Sequence, residues 1–304
     1  MDLRVEFAGL VLKNPIITAS GTFGFGLEFM NFGDLKRLGG IVVKGLSLKP
    51  REGNPMPRIV ETPCGMLNAI GIQNPGVEAF VRDKLPLLPW RETAIIANLY
   101  ACSAQEFGDL TGVLAGEEGV AALEVNVSCP NVQSGGAAFG QDPAQITKVT
   151  EEVKKRAVGK PVIVKLSPNV TDIALCARAA EAGGADAVSL INTLLGMAVD
   201  IRTRKPRLAN VVGGLSGPAI KPVALRCVHQ VCRAVKIPVI GIGGIVSAED
   251  ALEFILVGAS AVQVGTANFI RPDMAFRMVD DLPRTMLKAR AQTIAELKGS
   301  LELP

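Results

Sequence analysis

Apolar residues along the chain gather into short runs, and nearly every run stops at a polar residue or a glycine. Gly40–Val43 stops at Lys44-Gly45, Ala94–Ala97 at Asn98, Val120–Val125 at Asn126, and Pro161–Val164 at Lys165. Ala187–Ile191 gives way to Asn192-Thr193, Pro238–Ile242 to Gly243-Gly244, and Ala261–Val264 to Gly265-Thr266. Pro15–Ser20 runs into a glycine-dense loop, Ser20–Gly26. Nearly continuous apolar runs of this length predict strands buried on both faces, as in a parallel sheet.

Helical patterns lie between most of these strands. Asp142–Ala157 places Ile146, Val149, Val153 and Ala157 on one side, the spacing of an amphipathic helix. Thr171–Ala182, Lys221–Val235 and Ser247–Val257 are the next helices, the last opening on Ser247-Ala248-Glu249-Asp250, similar to a capping box. Eight such strands alternating with helices predict one closed (β/α)8 TIM barrel, a single domain over 1–304. Leu3–Phe7 and Leu10–Leu12, parted by Ala8-Gly9, predict an N-terminal hairpin. Two stretches break the alternation: Ser47–Gly76, with five prolines, and Leu194–Pro218, with Arg202, Arg204, Lys205 and Arg207. No Gly/Ser linker sets either apart, so both are expected to be decorations over the C-terminal mouth.

In such a barrel the chemistry gathers at the C-terminal strand ends. Here those ends carry Ser20, Lys44, Asn98, Asn126, Lys165, Asn192, Gly243-Gly244 and Gly265-Thr266. One buried lysine is explained by an ion pair, and one asparagine by a turn. Two lysines and three asparagines at the ends of different strands call for a ligand, since each buried polar group without a partner costs about 1–3 kcal/mol. The loops after the last two strands form the usual phosphate site of this architecture. The glycines there leave backbone amides uncovered, so the ligand is expected to be a phosphorylated cofactor. Pro130 ends the strand before Asn126-Val127-Ser128-Cys129-Pro130-Asn131, which puts Cys129 where a buried strand becomes a loop. Cys129 is either a small buried hydrophobe or a proton acceptor. The glycine-rich Gln133–Gly140 after it is expected to let the loop move.

Composition narrows the classes. The chain has 304 residues, 48% of them hydrophobic and 20% charged, with a net charge of +3, one Trp and one Tyr. It can bury a large core, and it offers neither a basic block nor a stacking platform for nucleic acid. No signal peptide or membrane span is visible, and six scattered cysteines without a C-x-x-C pair suit reduced thiols in the cytoplasm. They also argue against an iron–sulfur cluster in this chain. The single histidine, His229, falls within a helix and is expected at the surface, which disfavours a zinc site or a Ser-His-Asp triad. No G-x-G-x-x-G fingerprint is present.

From Asn14-Pro15 to about Phe269 the chain resembles the class 1 dihydroorotate dehydrogenases. The resemblance is carried by Val43-Lys44-Gly45, Asn68–Gly76, Asn126–Asn131, Ile191-Asn192-Thr193 and Gly241–Ile245. It implies FMN as the cofactor, with the phosphate on Gly243, Gly244, Gly265 and Thr266. Lys165 would face the pyrimidine end of the flavin, and Ser20, Gly21, Lys44, Gly45, Asn98, Asn126, Ile191 and Gly217 would make further flavin contacts. Dihydroorotate or orotate would lie on the flavin, held by Lys44, Asn68, Asn126, Asn192 and Thr193. The backbone of Ala69-Ile70-Gly71-Ile72 would complete that site. Cys129 would take a proton from C5 while a hydride leaves C6. A thiol of ordinary pKa, about 8.5, is a sluggish base at neutral pH, so activity is expected to rise with pH.

The Asn68–Asn74 block and the Gly135–Gly140 loop resemble the NAD-linked type within that family. This type implies a homodimer within a heterotetramer, with a partner subunit carrying FAD and a [2Fe-2S] cluster. The fumarate-using type, and other FMN barrels that reduce pyrimidines or uridines, remain alternatives. So does a non-catalytic barrel that binds a phosphorylated metabolite, for which Lys44, Cys129 and Lys165 would have no redox work. A purely structural subunit leaves the polar ring unexplained.

Overall fold

The computed structural model describes residues 1–128 and 139–304; Cys129 and most of the Gln133–Gly140 loop lie outside them. Val5–Phe7 (β1) and Leu10–Leu12 (β2) form the expected antiparallel hairpin. Ile16–Thr18 (β3), Gly40–Val42 (β4), Ile59–Thr62 (β5) and Gly65–Asn68 (β6) come next. Then follow Val77–Asp83 (α1), Ala94–Leu99 (β7), Ala104–Ala115 (α2), Ala122–Asn126 (β8), Pro143–Arg156 (α3) and Val162–Lys165 (β9). Ile173–Ala182 (α4), Ala187–Leu190 (β10), Leu194–Met197 (β11), Val199–Asp200 (β12), Lys205–Pro206 (β13) and Val212–Ser216 (β14) lead to Lys221–Cys232 (α5). The chain continues through Val239–Ile242 (β15), Ala248–Leu256 (α6) and Ala261–Val264 (β16). It ends with Ala267–Ile270 (α7), Met274–Lys288 (α8) and Ile294–Leu297 (α9).

The eight apolar strands close into one barrel, in the order β3-β4-β7-β8-β9-β10-β15-β16, with every neighbouring pair parallel. Helices pack outside it, and side chains such as Ile41, Ile96, Val125, Ile163 and Val262 are fully buried. The strand limits differ from expectation by a residue or two. The shift matters at Asn98, Asn126 and Lys165, which belong to β7, β8 and β9. Ladder register therefore fixes them: Asn98 lies opposite Glu124, and Asn126 opposite Lys165.

Local chemistry accounts for the helix starts. Asp142 caps α3 by accepting from the Ala144 N–H, Pro143 needs no donor there, and Ile146, Val149 and Val153 face the core. Ser247 caps α6 by accepting from the Asp250 N–H at 3.0 Å. The Asp250 carboxylate does not close a capping box. It accepts from the Val246 N–H at 2.9 Å and from Lys221 Nζ at 2.5 Å, tying the starts of α5 and α6 together. Burial is the largest single influence and works against both charges, but the hydrogen bonds and opposite charges around them together outweigh it, holding Lys221 above its ordinary pKa and Asp250 below. His229 is half-buried on α5, rather than at the surface.

The two decorations turn out to be one structure. β5 and β6 from the first pair antiparallel with β11 and β14 from the second, in the order β11-β14-β6-β5. Leu215 pairs with Leu67, and Val60, Leu67 and Leu208 make a small core separate from that of the barrel. β12 and β13 form a basic hairpin beside this sheet.

Candidate functional site

The barrel mouth and the sheet above it enclose a cavity of about 580 Å³, within the roughly 300–1,000 Å³ usual for small-molecule sites. Every sequence-predicted site residue among the described residues lines it. From the barrel come Ser20, Gly21, Lys44, Gly45, Asn98, Asn126, Lys165, Ile191, Asn192 and Thr193, with Gly243, Gly244, Gly265 and Thr266 at the last two strand ends. From the covering segments come Asn68, Ala69, Ile70, Gly71, Ile72 and Gly217. Cys129 lies outside the described residues, although Asn126, Ser128, Gly140 and Gln141 on either side of it line the same cavity.

On the barrel side the amides are oriented by hydrogen bonds. Asn126 Oδ1 accepts from the Ser128 N–H at 3.2 Å and from Asn192 Nδ2 at 3.3 Å, so its nitrogen is the end left for a ligand. Asn192 Oδ1 accepts from the Thr193 N–H at 2.8 Å. Asn98 Nδ2 is engaged below the cavity, donating to Glu124 Oε2 at 2.7 Å. Lys165 Nζ reaches Ser20 Oγ at 3.4 Å and Glu124 Oε2 at 3.7 Å. Lys44 differs: among the described residues it forms no ion pair, and burial lowers its pKa, with the nearby Arg58 charge adding to the fall and Glu28 opposing it.

Glu124 is a buried charge behind the site that sequence reasoning missed. It sits in the middle of β8 with 0% exposure. Its carboxylate receives Asn98 Nδ2, Ser189 Oγ at 2.8 Å and Gln263 Nε2 at 2.6 Å, besides Lys165. An acid inside an otherwise apolar strand was the available signal. Asn169 was also missed: it accepts from the Leu195 N–H and donates to the Thr193 carbonyl, fixing the path out of the fifth-to-sixth strand rim. Ser216 joins the cover to the barrel, sharing a hydrogen bond of 2.8 Å with Thr266 Oγ1.

Where the expected phosphate would rest, bare backbone is a steric necessity. A Cβ on Gly244, at φ +75°, would lie 2.8 Å from the backbone nitrogen of Lys221. Gly71, at φ +76°, presses on Asn54 in the same way, and Asn54 supports the Ala69-Ile70 backbone through two hydrogen bonds. Amines at Lys44 and Lys165, a ring of amides and an uncovered glycine turn make a donor set suited to a flat, phosphorylated, anion-bearing group. Among the described residues no cluster of His, Cys, Asp and Glu fit to hold a metal is found. Nor is any helix long and apolar enough to cross a membrane. Cys64, Cys102, Cys176, Cys227 and Cys232 are free thiols.

The protein is similar over its whole length to known proteins. It is 72% identical over 304 residues to the "Dihydroorotate dehydrogenase B (NAD(+)), catalytic subunit" of Maridesulfovibrio salexigens, covering 100% of both chains. It is 55% identical over 303 residues to the protein of the same description from Thermoanaerobacter sp., again covering 100% of each. In three dimensions it resembles dihydroorotate dehydrogenase from Eimeria tenella, solved with ferulenol, with a TM-score of 0.81. At 21% identity, over 98% of this chain and 88% of that one, this likeness speaks for the fold. A family profile for dihydroorotate dehydrogenase matches residues 2–286. The chain belongs to the dihydroorotate dehydrogenase family.

Proposed function

We propose that this chain is the catalytic subunit of an NAD-linked dihydroorotate dehydrogenase, oxidising dihydroorotate to orotate in the cytoplasm as a step of pyrimidine synthesis. It works as one FMN-binding domain. The carrying observation is the convergence of Lys44, Lys165 and the amides of Asn98, Asn126 and Asn192 on one cavity with an uncovered glycine turn at its far end. Bound FMN supplies the hydride acceptor. Gly243, Gly244, Gly265 and Thr266 would hold its phosphate, and Lys165 would stand against its pyrimidine end as a fixed positive charge. Ser20, Gly21, Lys44, Gly45, Asn98, Asn126, Ile191 and Gly217 complete its seat.

Lys44, Asn68, Asn126, Asn192 and Thr193 orient the substrate, with the Ala69–Ile72 backbone at its edge. Cys129 takes the C5 proton. A partner subunit carrying FAD and [2Fe-2S] would link this chain to NAD⁺, in a heterotetramer built on a dimer of this chain. The description of the relatives as catalytic subunits supports the presence of a partner subunit.

The test is direct. The purified chain is expected to be yellow, to bleach anaerobically with dihydroorotate, and to form little NADH without its partner. Cys129→Ala should keep the flavin and lose most of the bleaching rate in stopped flow. A colourless chain that cannot be reconstituted with FMN overturns the reading, and full-speed bleaching by Cys129→Ala removes Cys129 from its role.

A further inference from the structure

We infer that Glu124 is a positioning residue: its buried carboxylate is the counter-charge that holds the Lys165 amine in place at the cavity floor, and through Lys165 it sets how readily the bound flavin is reduced. This rests on the functional reading above. Among the described residues Lys165 has one acidic partner, Glu124, at 3.7 Å, and both side chains are almost entirely shielded from solvent. Glu124 itself does not line the cavity, whereas Lys165 does. A ligand therefore meets the ammonium first and the carboxylate only behind it.

The rest of the network holds the carboxylate still. Ser189 Oγ and Gln263 Nε2 both donate to Oε1, and Asn98 Nδ2 donates to Oε2. These donors come from β10, β16 and β7, so three strands besides its own fix the acid. Oε2 keeps its remaining side for Lys165. The ladder sets the geometry from the other direction, since Lys165 lies opposite both Asn126 and Ser189 in register. Ser20 Oγ at 3.4 Å is the group that meets the Lys165 amine at the rim.

Two physical arguments give the sign of the effect. A buried charge stripped of its partner is the costly state, and it is relieved when the Lys165 side chain withdraws from the site. In Glu124→Gln the amide must also turn its NH₂ toward one pair of donors, either Ser189 and Gln263 or Asn98 and Lys165. The first argument removes positive charge from the cavity floor, and the second does so where the NH₂ faces Lys165, so reduction of the flavin should become harder. If Lys165 kept its charge and place, loss of the acid behind it would make reduction easier instead. The direction of the change separates the two cases.

The experiment compares the FMN-loaded wild-type chain with Glu124→Gln, reading the flavin's reduction potential against reference dyes under anaerobic equilibrium. The expected result is at least a tenfold fall in the two-electron equilibrium constant for reduction, about 30 mV. The same substitution made on a Lys165→Met background should change that constant by less than about threefold, as expected when one residue acts through the other. An unchanged or raised potential in Glu124→Gln overturns the inference, as does a full tenfold fall on the Lys165→Met background. Where Glu124→Gln gives no folded yellow protein, Glu124→Asp takes its place; it keeps the charge but withdraws it by one methylene. A threefold or greater fall supports the inference, and a smaller change overturns it. A wild-type chain that binds no FMN defeats the functional reading, and this inference with it. A yellow wild type with an insensitive Glu124 defeats the inference alone.

Discussion

The floor of the cavity and its cover hold polar groups by different means. On the floor, Asn98, Asn126 and Lys165 are residues of strands whose register is fixed all round a closed barrel. Behind them Asn98 and Lys165 meet Glu124, and Asn126 meets Asn192. The cover is a four-stranded antiparallel sheet assembled from two distant segments over a core of Val60, Leu67 and Leu208. Its contribution is largely backbone, and a few hydrogen bonds such as Ser216 to Thr266 fasten it to the barrel. The floor is thus built to fix charge, and the cover to fix shape. That contrast can be broken at either wall.

The largest effect is expected on the floor. Lys165→Met leaves the Glu124 carboxylate buried without its counter-charge, which should cost about 3–5 kcal/mol of stability, the usual loss on breaking a buried pair. Adding Glu124→Gln to it should recover much of that loss, because the stranded charge goes with the substitution. Urea unfolding of the two variants checks this, and a double variant no more stable than the single one would remove the ion pair from the account of the floor. Activity is expected to be lost in both.

At the cover a comparable truncation should act locally. Leu67 is 2% exposed within the small core, so Leu67→Ala should remove about 2–4 kcal/mol of packing from the sheet. Because that core is separate from the barrel's, the urea midpoint should move less than for Ile163→Ala, while orotate affinity falls about tenfold. Titration calorimetry and unfolding curves on the two variants sharpen the comparison. A midpoint shift in Leu67→Ala as large as in Ile163→Ala would make cover and barrel one cooperative unit.

The same contrast explains what could be read in the sequence. Parallel strands buried on both faces leave unbroken apolar runs, so Gly40–Val43 or Ala261–Val264 announce themselves, and so do the residues where they stop. The cover was legible only as two breaks in the alternation, because the pairing of Met66 with Ser216 joins segments far apart in the chain and leaves no local pattern. Glu124 escaped because its charge is hidden in the apolar run Val120–Val125 and its four partners come from four other strands. Asp250 was visible as a capping residue, but its use as a partner for Lys221 depends on how α5 meets α6.

The smallest effect is expected where the two walls meet, at Lys44. Its side chain lines the cavity, and burial lowers its pKa, helped by the positive charge of Arg58 on the cover segment. Arg58 is itself fixed by Gln73 Oε1 at 2.6 Å and by the Asn54 carbonyl. An anionic ligand such as orotate is held by the ammonium form of Lys44, which is lost as pH rises through the lowered value. Orotate affinity for the oxidised chain should therefore fall on the alkaline side, beginning below the pH at which an ordinary lysine would titrate. Arg58→Gln removes the secondary cause and leaves burial, so the fall should move toward higher pH without disappearing. Dissociation constants measured from the flavin spectrum across the alkaline range for both proteins decide it. A fall that stays at the same pH, or moves to lower pH, would mean that the cover lends the floor no charge at all.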